Sequence, residues 1–368
     1  MKRRIFLKTT AAASVGALSA VGLSAPAIAS GKIKLKMVTT WPKNFPGVGT
    51  RAVEYARDIG KATDGRIKIK VFAANELVPA LGAFDAVQGG KADIYHGPEY
   101  YWQGKHKGFS FFTATPFGLT ATELSQWINY GGGQALWDEL SAPFNIKALL
   151  CATTGVQMGG WYKKEINKIQ DFNGLRIRMP GLGGEVLKRL GATTVTKAGG
   201  EIYLALSQGN IDAAEWIGPW NDMAFGFQNI TKFYYTSAFH EPGAGLAAGF
   251  NLDVWNSLSP PDQAIITAVS GDHYQKSYAE FNARNAVSLR TLVDQHDVQI
   301  KVFSDEIMDR LAHVSDDLMQ EVAQTDDLTK RIYNSYMDTR RNAMEWGAIG
   351  EEPYLKARRL YKNFGKKI

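Results

Sequence analysis

The sequence predicts an α/β protein built from two similar lobes, followed by a helical C-terminal part. Segments with the alternating apolar pattern of strands take turns with segments of helical spacing as far as residue 219, which is typical of sheets covered by helices. One helix–strand unit, AVQGGKADIYHGP (86–98), has a faint echo in ALSQGNIDAAEWIGP (205–219). From about residue 259 the spacing is mainly helical.

The first half of the chain predicts three strands separated by two helices. KIKLKMVTTW alternates basic and apolar residues before Pro42, and the first helical segment stops at Gly65. A half-buried strand has this alternation, and glycine commonly ends a helix. The predicted order is a strand at 32–41, a helix at 48–65, a strand at 66–77, a helix around 79–89 and a strand at 92–98.

The second half repeats this order and ends in helices. We expect strands at 146–155, 175–181, 192–197 and 211–219, with helices at 183–191 and around 200–209. Alternation of strands with helices predicts mostly parallel sheets, and ligands of open α/β sheets bind outside the carboxyl ends of the strands. The two lobes would therefore present those ends across a cleft. Residues 259–297 predict one long helix or two shorter ones, and a break at Asp326-Asp327 precedes a final helix at 327–350.

The N-terminus has the pattern of an export signal. Residues 1–29 contain a basic start with paired arginines, a weakly apolar run and a small-x-small ending at Ala27-Ile28-Ala29, as a cleavable twin-arginine signal peptide does. They hold four of the 42 basic residues and none of the 36 acidic ones, so the formal charge falls from +6 to +2 without them. We therefore expect a periplasmic protein and no nucleic-acid binding.

Polar side chains gather where the strands of the second half end. Arg178 lies near the end of RIRMP, and its planar fork suits a carboxylate bound by two parallel hydrogen bonds. Alternation puts Arg176 on the same face, so periodicity does not separate a ligand clamp from a surface arginine. Glu215 and Trp216 close IDAAEW, and Glu241 follows in FHEPG.

The two glutamates raise an electrostatic question. Buried carboxylates need partners, and a carboxylate ligand would add a third negative group beside one arginine. Like charges about 4 Å apart repel by roughly 4 kcal/mol at an effective dielectric near 20. Either a glutamate is protonated or a cation binds; Na⁺ or Ca²⁺ would take oxygens from Glu215, Glu241, the Gln157 amide and the Trp216 carbonyl. The alternative is that these acids pair with surface Lys or Arg.

Several classes of site find no support in the pattern. The histidines lack the spacing of a transition-metal site, and neither a nucleophile elbow nor a P-loop occurs. Aromatic residues crowd the turns after the strands, where they could cover a small organic acid or pack the interface between the lobes. They include Trp41, Tyr100, Tyr101, Trp102, Trp216 and Trp220.

The stretch 174–227, with its PGLGGEVL, GGEI and AAEW motifs, followed by HEPG at 240–243, resembles the solute-binding subunit of tripartite ATP-independent periplasmic (TRAP) transporters. It is most similar to the branch that binds 2-oxo acids and related monocarboxylates. The resemblance implies a periplasmic-binding-protein fold with a cleft between two open mixed sheets. It also implies lobe I at 30–152 and about 242–280, lobe II at 153–241 and about 281–322, and an added helical extension at 323–368.

The resemblance also assigns roles. It implies that Arg178 clamps the ligand carboxylate and that Tyr101, or Tyr100, reaches across from the first lobe. Gln157, Glu215, Trp216 and Glu241 would hold a cation, Na⁺ or Ca²⁺, with Gln157 and Trp216 also touching the ligand. The partners would be the small and large permease subunits and a second copy bound through the C-terminal helix. A cation-dependent enzyme using Glu215 and His240, and a binding protein of an ATP-driven importer, stay open as alternatives.

Overall fold

Two mixed β-sheets organise residues 31–360, the part of the chain that the computed structural model describes. The predicted signal peptide, residues 1–29, lies outside this part, as do the last eight residues of the predicted extension. We call the part of the molecule around the first sheet lobe I and the part around the second sheet lobe II.

Lobe I is built on five strands. They are β1 (Ile33–Thr39), β2 (Ile67–Phe72), β3 (Ile94–Gly97), β4 (Ile146–Thr153) and β10 (Gly245–Asn251). Their order is β2-β1-β3-β10-β4. β1 runs parallel to β2 and β3, whereas β10 is antiparallel to both of its neighbours. The sheet is therefore mixed, and the carboxyl ends of β1 and β3 lie at the same edge.

Lobe II is built on six shorter strands. They are β5 (Gly160–Tyr162), β6 (Arg176–Arg178), β7 (Thr193–Val195), β8 (Ala213–Ala214), β9 (Phe233–Thr236) and β11 (Gln299–Val302). Their order is β11-β9-β5-β8-β6-β7. β6 is parallel to β7 and β8, and β5 is antiparallel to its neighbours β8 and β9. The ends of β6 and β8 therefore lie side by side.

Three connections join the lobes. Residues 154–159 lead from β4 to β5, residues 237–244 lead from β9 to β10, and a helical connection returns from β10 to β11. The first two segments are hydrogen-bonded to each other, through Thr154 N to Ala244 O at 3.2 Å and Gln157 N to Glu241 O at 3.2 Å. We call residues 154–159 and 237–244 the crossing segments. The exact lobe boundaries stay a prediction.

Helices cover the sheets and make up the C-terminal part. In the described residues they are α1 (Val48–Ala62), α2 (Ala83–Gln88), α3 (Ala121–Tyr130), α4 (Gly133–Ser141), α5 (Gly181–Arg189), α6 (Gly199–Ser207), α7 (Pro219–Phe225), α8 (Leu252–Ser257), α9 (Pro260–His296), α10 (Asp305–Ala323), α11 (Asp327–Ile349) and α12 (Glu351–Leu360). The segment at 259–297 forms one long helix, α9, which Ser259 caps by accepting from Asp262 N. Within residues 31–360, none of these helices has the length and apolar character needed to cross a membrane.

The C-terminal helices lie on both lobes. α10 packs against α5 of lobe II, and α11 packs against α3 and α4 of lobe I. A short break at 324–326 separates α10 from α11, and Asp326 caps α11 by accepting from Thr329 N. The last buried residue of α11 is Ala343, and no residue of α12 is buried. The end of α11 and the whole of α12, as far as residue 360, therefore project from the body of the protein.

The strands differ from the sequence-based expectation in several places. The predicted strand 211–219 is reduced to the two residues of β8, because residues 215–218 leave the sheet towards the lobe interface. Among the described strands, five pairs are parallel and four are antiparallel, so parallel pairs form the expected majority and both sheets are mixed, as the resemblance implied. β10 was not expected as a strand because GLAAGFN has no alternation of apolar and polar residues. Its Gly249 makes room for the ring of Tyr95, which occupies the space that a Cβ would need.

Candidate functional site

The crossing segments and the strand ends of lobe II bring the predicted polar residues together. Gln157 and Glu241 lie on the two crossing segments, Arg178 ends β6, and Glu215 directly follows β8. All four are buried, and the side chains of Arg178 and Glu215 have no exposed surface. The site therefore forms at the base of the interface between the lobes.

All three nitrogens of the Arg178 side chain donate hydrogen bonds. Nη1 donates to the backbone carbonyl of Glu215 at 2.7 Å and to its Oε2 at 2.8 Å, and Nε donates to Lys197 O at 3.2 Å. Nη2 donates to the hydroxyl of Tyr101 at 3.0 Å. Because Tyr101 belongs to lobe I, the arginine joins the two lobes.

Arg176 has a different environment, although it lies two residues away on the same strand. It is exposed and forms a double hydrogen bond with Asp212, with Nε and Nη2 donating at 2.9 and 2.6 Å. The strand end and the adjoining β8 bury Arg178, whereas Arg176 is paired at the surface. The structure thereby separates the two arginines that periodicity could not.

Glu215 and Glu241 bring oxygens without partners into the same buried space. Glu215 Oε1, both carboxyl oxygens of Glu241 and Gln157 Oε1 are buried and accept no hydrogen bond. The Gln157 amide is oriented by its other end, since Nε2 donates to Thr154 Oγ1 at 3.0 Å. Unpaired buried acceptors are costly, and hard cations such as Na⁺ and Ca²⁺ prefer oxygen ligands. This set of oxygen ligands fits such a cation.

His240, which the sequence suggested only for the enzymatic alternative, completes this cluster. One ligand atom each of Glu215, His240 and Glu241 lie within 4.8 Å of one another, and His240 Nε2 is 3.5 Å from Glu215 Oε1. Burial lowers the pKa of His240 to about 4, so the imidazole is neutral at pH 7. The sequence signal was its place in HEPG. Its Cβ packs on α5 where Gly183 leaves room, since a Cβ at 183 would come within 2.4 Å.

The carboxyl groups of the cluster are difficult to ionise in this environment. Burial raises the pKa of Glu215 to about 8 against the opposing effect of Arg178. Burial, and then the neighbouring Glu215, raise the pKa of Glu241 to about 8. Without a further positive charge, both side chains would carry a proton at pH 7. A bound cation would supply that charge.

The two tyrosines come from a short helical turn at 99–102, directly after β3. Burial raises the pKa of Tyr101 to about 12, so its hydroxyl is protonated and can also donate. Tyr100 is buried beside Glu241 and packs against Tyr101 with ring centroids 5.1 Å apart. Glu99 anchors this turn, because its carboxyl accepts from Tyr95 and from Trp137 Nε1, the latter at 2.6 Å.

Trp216 forms an aromatic contact between the lobes. Its ring lies edge-on to Trp41 and to Phe45 of lobe I, with centroids 6.2 Å apart in each pair, and it lies 5.2 Å from the Arg178 guanidinium. Trp41 is fixed in turn because its Nε1 donates to His96 Nδ1 at 2.8 Å. Trp41 and Trp216 thus pack at the interface between the lobes, which is one of the two roles that their places after strands suggested.

A buried aspartate fixes the backbone that carries Glu215 and Trp216. Asp222 accepts from Ile217 N and Gly218 N at 3.1 and 3.0 Å, and also from Trp161 Nε1 and Tyr234 at 3.0 and 2.7 Å. Its pKa is raised to about 6 by burial, and these four hydrogen bonds oppose the rise. Sequence reasoning missed Asp222 because it lies within α7 and not at a strand end.

This fold is that of a TRAP transporter solute-binding protein. The chain belongs to the bacterial extracellular solute-binding proteins, family 7, which it matches over residues 37–326. It is 37% identical over 358 residues to a monocarboxylate 2-oxoacid-binding periplasmic protein from Nostoc sp., covering 96% of this chain and 98% of that protein.

Two solved structures of TRAP solute-binding proteins are similar over nearly their full length. The protein from Bordetella bronchiseptica, a mixed-occupancy dimer with calcium and picolinate, superposes with a TM-score of 0.88 at 34% identity, covering 90% of this chain and 98% of that one. The protein from Colwellia psychrerythraea, with calcium and pyruvate, has a TM-score of 0.86 at 36% identity, covering 89% and 99%. The family prediction is confirmed.

Proposed function

We propose that this protein captures a small 2-oxo or 2-hydroxy monocarboxylate in the periplasm, together with a cation, and delivers it to the membrane permease of a TRAP transporter. Family membership supports the transport role. The ligand class is supported by the calcium and pyruvate carried by the Colwellia protein, and by a further relative from Pseudoalteromonas atlantica, 36% identical, which carries sodium and pyruvate. This chain's own donor set supports the cation.

The observation that carries the proposal is the juxtaposition of a buried guanidinium with four unpaired buried oxygens. Arg178 would bind the carboxylate of the acid, and Tyr101, Tyr100 and Trp216 would close around it. Gln157, Glu215, Glu241 and the Trp216 carbonyl would hold the cation, with Gln157 and Trp216 also touching the acid. A cation held by these residues would supply positive charge between the glutamate carboxylates and the bound acid.

Charge balance supports a cation in this site. With both glutamates ionised, the acid adds a third negative charge and Arg178 supplies one positive charge. Ca²⁺ makes the assembly neutral, whereas Na⁺ leaves one negative charge that a proton on one glutamate would balance. Both ions are compatible with oxygen ligands. Because closure is driven only by contacts that differ between the open and closed forms, the acid bridging Arg178 and the lobe I tyrosines is suited to drive it.

The test is calorimetry with pyruvate in the presence of Ca²⁺ or Na⁺. Arg178→Ala should weaken binding by about 30-fold or more, because truncating one partner of a buried charged pair costs about 2–5 kcal/mol. Arg176→Ala is the matched control, since that arginine lies at the surface. The pyruvate affinity of this variant should stay within about twofold of the wild-type value. Circular dichroism checks that Arg178→Ala is folded. Undiminished pyruvate affinity in the folded variant would contradict the proposed role of Arg178 in binding the carboxylate.

The same preparations test the enzymatic alternative. Belonging to a solute-binding family favours capture over turnover, and His240 offers a neutral imidazole beside Glu215. Incubation of the purified protein with oxo acids, followed by NMR, should return the acids unchanged. Product formation that Glu215→Gln abolishes would instead establish catalysis at this cluster.

A second copy is the partner that we propose for the C-terminal helices. Large apolar side chains on α11 and α12 are exposed, and nothing in residues 31–360 covers them. They are Met344 at 52%, Trp346 at 71%, Ile349 at 78%, Tyr354 at 66% and Leu360 at 76% exposure. Isolated projecting helices need a packing partner. The dimeric state of the Bordetella relative is consistent with a homodimer through this surface.

A further inference from the structure

A turn at residues 115–118 lies between the C-terminal helix α11 and the crossing segment that carries Glu241. Arg340 of α11 donates from Nε to the carbonyl of Phe117 at 2.7 Å. The amide of the same residue, Phe117, donates to the carbonyl of Phe239 at 2.7 Å. Phe239 is two residues before Glu241. Two hydrogen bonds therefore link α11, through one residue of lobe I, to the loop with the proposed cation ligand.

The turn is fixed to α11 at a second place. Tyr336, one helical turn before Arg340, accepts from Leu119 N at 2.7 Å and from Thr115 Oγ1 at 3.1 Å. Gly118 makes this approach possible, because a Cβ at that position would lie 2.3 Å from the Tyr336 hydroxyl. The position of the turn is thus set by α11.

Phe117 holds an unfavourable backbone conformation at the centre of this link. Its φ of 52° lies in the left-handed region, which bulky residues rarely adopt. Such a conformation persists only where the surroundings impose it. Here the two hydrogen bonds on either side of Phe117 impose it, together with contact between the Phe117 and Phe239 rings, whose centroids are 6.1 Å apart.

Thr115 and Pro116 are buried, but Phe117 is only half-buried and faces open space on one side. A cavity of about 230 Å³ lies next to the turn, between α10 and α11, and Phe117, Met319 and Arg340 are among the residues that line it. Tyr336 holds the two ends of the turn, whereas the hydrogen bond from Arg340 is made to the Phe117 carbonyl itself and directs that residue at Phe239.

We propose that Arg340 is a positioning residue for the cation site and that it couples the C-terminal helix to cation binding. The inference rests on the proposed role of Glu241 as a cation ligand. Arg340 acts through Phe117 and Phe239. Its loss removes none of the proposed ligand residues but allows the loop that carries Glu241 to shift. The shift changes the cation requirement more than the contacts of Arg178 with the acid.

The test compares Arg340→Leu with Arg341→Leu. Arg341 is the adjacent exposed arginine, paired with Asp338 on its own helix, so its variant is the matched control. Calorimetry with pyruvate is run over a Ca²⁺ series, and thermal melting without either ligand reports on folding. We expect Arg340→Leu to raise the half-saturating Ca²⁺ concentration about tenfold, with pyruvate affinity at saturating Ca²⁺ within about threefold of wild type. Arg341→Leu should match wild type.

The outcomes separate this inference from the proposed function. If wild-type pyruvate binding needs no cation, the proposed cation site itself is refuted. If wild type needs Ca²⁺ and folded Arg340→Leu has the same requirement, or loses pyruvate affinity equally at saturating Ca²⁺, the positioning role of Arg340 is wrong. Should Arg340→Leu not fold, Arg340→Gln, whose shorter chain withdraws the donor from Phe117, carries the same expectation and the same refutation.

Discussion

At the residue scale, Glu215 and Glu241 determine how the protein responds to pH. Both carboxyls have an ordinary pKa of 4.5, which burial raises to about 8 in the folded protein. Between these values the folded state keeps protons that the unfolded chain has released. The free energy of unfolding of the cation-free protein therefore falls as pH rises from about 4.5 to 8 and levels off above that range.

Cation binding should show the opposite trend, because the cation displaces these protons. We expect Ca²⁺ affinity to rise between pH 6 and 8, by up to about tenfold per pH unit for each proton released. Thermal shift and calorimetry across this range measure it. Glu241→Gln, which leaves one titrating carboxyl, should reduce the slope, and an affinity that stays constant over the range in wild type would contradict the assignment of these pKa shifts to the cation site.

Residue chemistry predicted part of this site and missed the rest. Arg178, Gln157, Glu215 and Glu241 were expected because charged and amide groups at strand ends meet at one edge of a sheet, and the structure brings them together; their ligand roles stay proposals. Asp222 and Glu99 could not be found this way. They fix the backbone behind the site, and part of that support comes from residues distant in sequence, Trp161 for Asp222 and Trp137 for Glu99.

At the element scale, the glycines of α5 decide how closely the helix approaches the cluster. A Cβ at Gly183 would lie 2.4 Å from the Cβ of His240. The helix therefore packs directly on the residue that precedes Glu241. This explains a glycine at this position near the start of the helix.

A small substitution in α5 should therefore disturb binding. Gly183→Ala should displace the His240–Glu241 loop, weaken pyruvate binding by tenfold or more and lower the free energy of unfolding by about 1–3 kcal/mol, as overpacking does. Calorimetry and denaturant unfolding measure both. Gly271→Ala in α9 is the control, since nothing lies within 4 Å of its added Cβ; it should bind normally and gain up to about 1 kcal/mol in stability. Normal binding in Gly183→Ala would show that the loop has room to adjust.

Periodic elements were easier to predict than elements shaped by neighbours. α1 and β1 follow from their own spacing, and so does the break before α11. β10 and the shortness of β8 depend instead on tertiary contacts: Gly249 makes room for Tyr95, and Asp222 draws residues 217–218 out of the sheet. No local pattern encodes such contacts.

At the scale of the whole molecule, the projecting end of α11 and α12 predicts a dimer that substitution can dissolve. The double variant Trp346→Glu, Ile349→Glu should be monomeric in size-exclusion chromatography with light scattering, whereas wild type should be a dimer. Burial of these side chains would otherwise contribute about 1.5–3 kcal/mol each. Leu204→Glu on α6, also an exposed leucine at 57%, is the control and should leave the dimer intact. A wild-type monomer, or a dimeric double variant, would rule out this surface.

The place of the proposed cation ligands on the crossing segments has a consequence for the order of events. When two rigid lobes rotate about the segments that connect them, atoms on those segments move least and atoms far from them move most. Gln157 and Glu241 are near the pivot, whereas Tyr101 swings with the opposite body. If the lobes close by such a rotation, we expect the cation to bind before closure and the organic acid to bind second, at a site that already carries the positive charge.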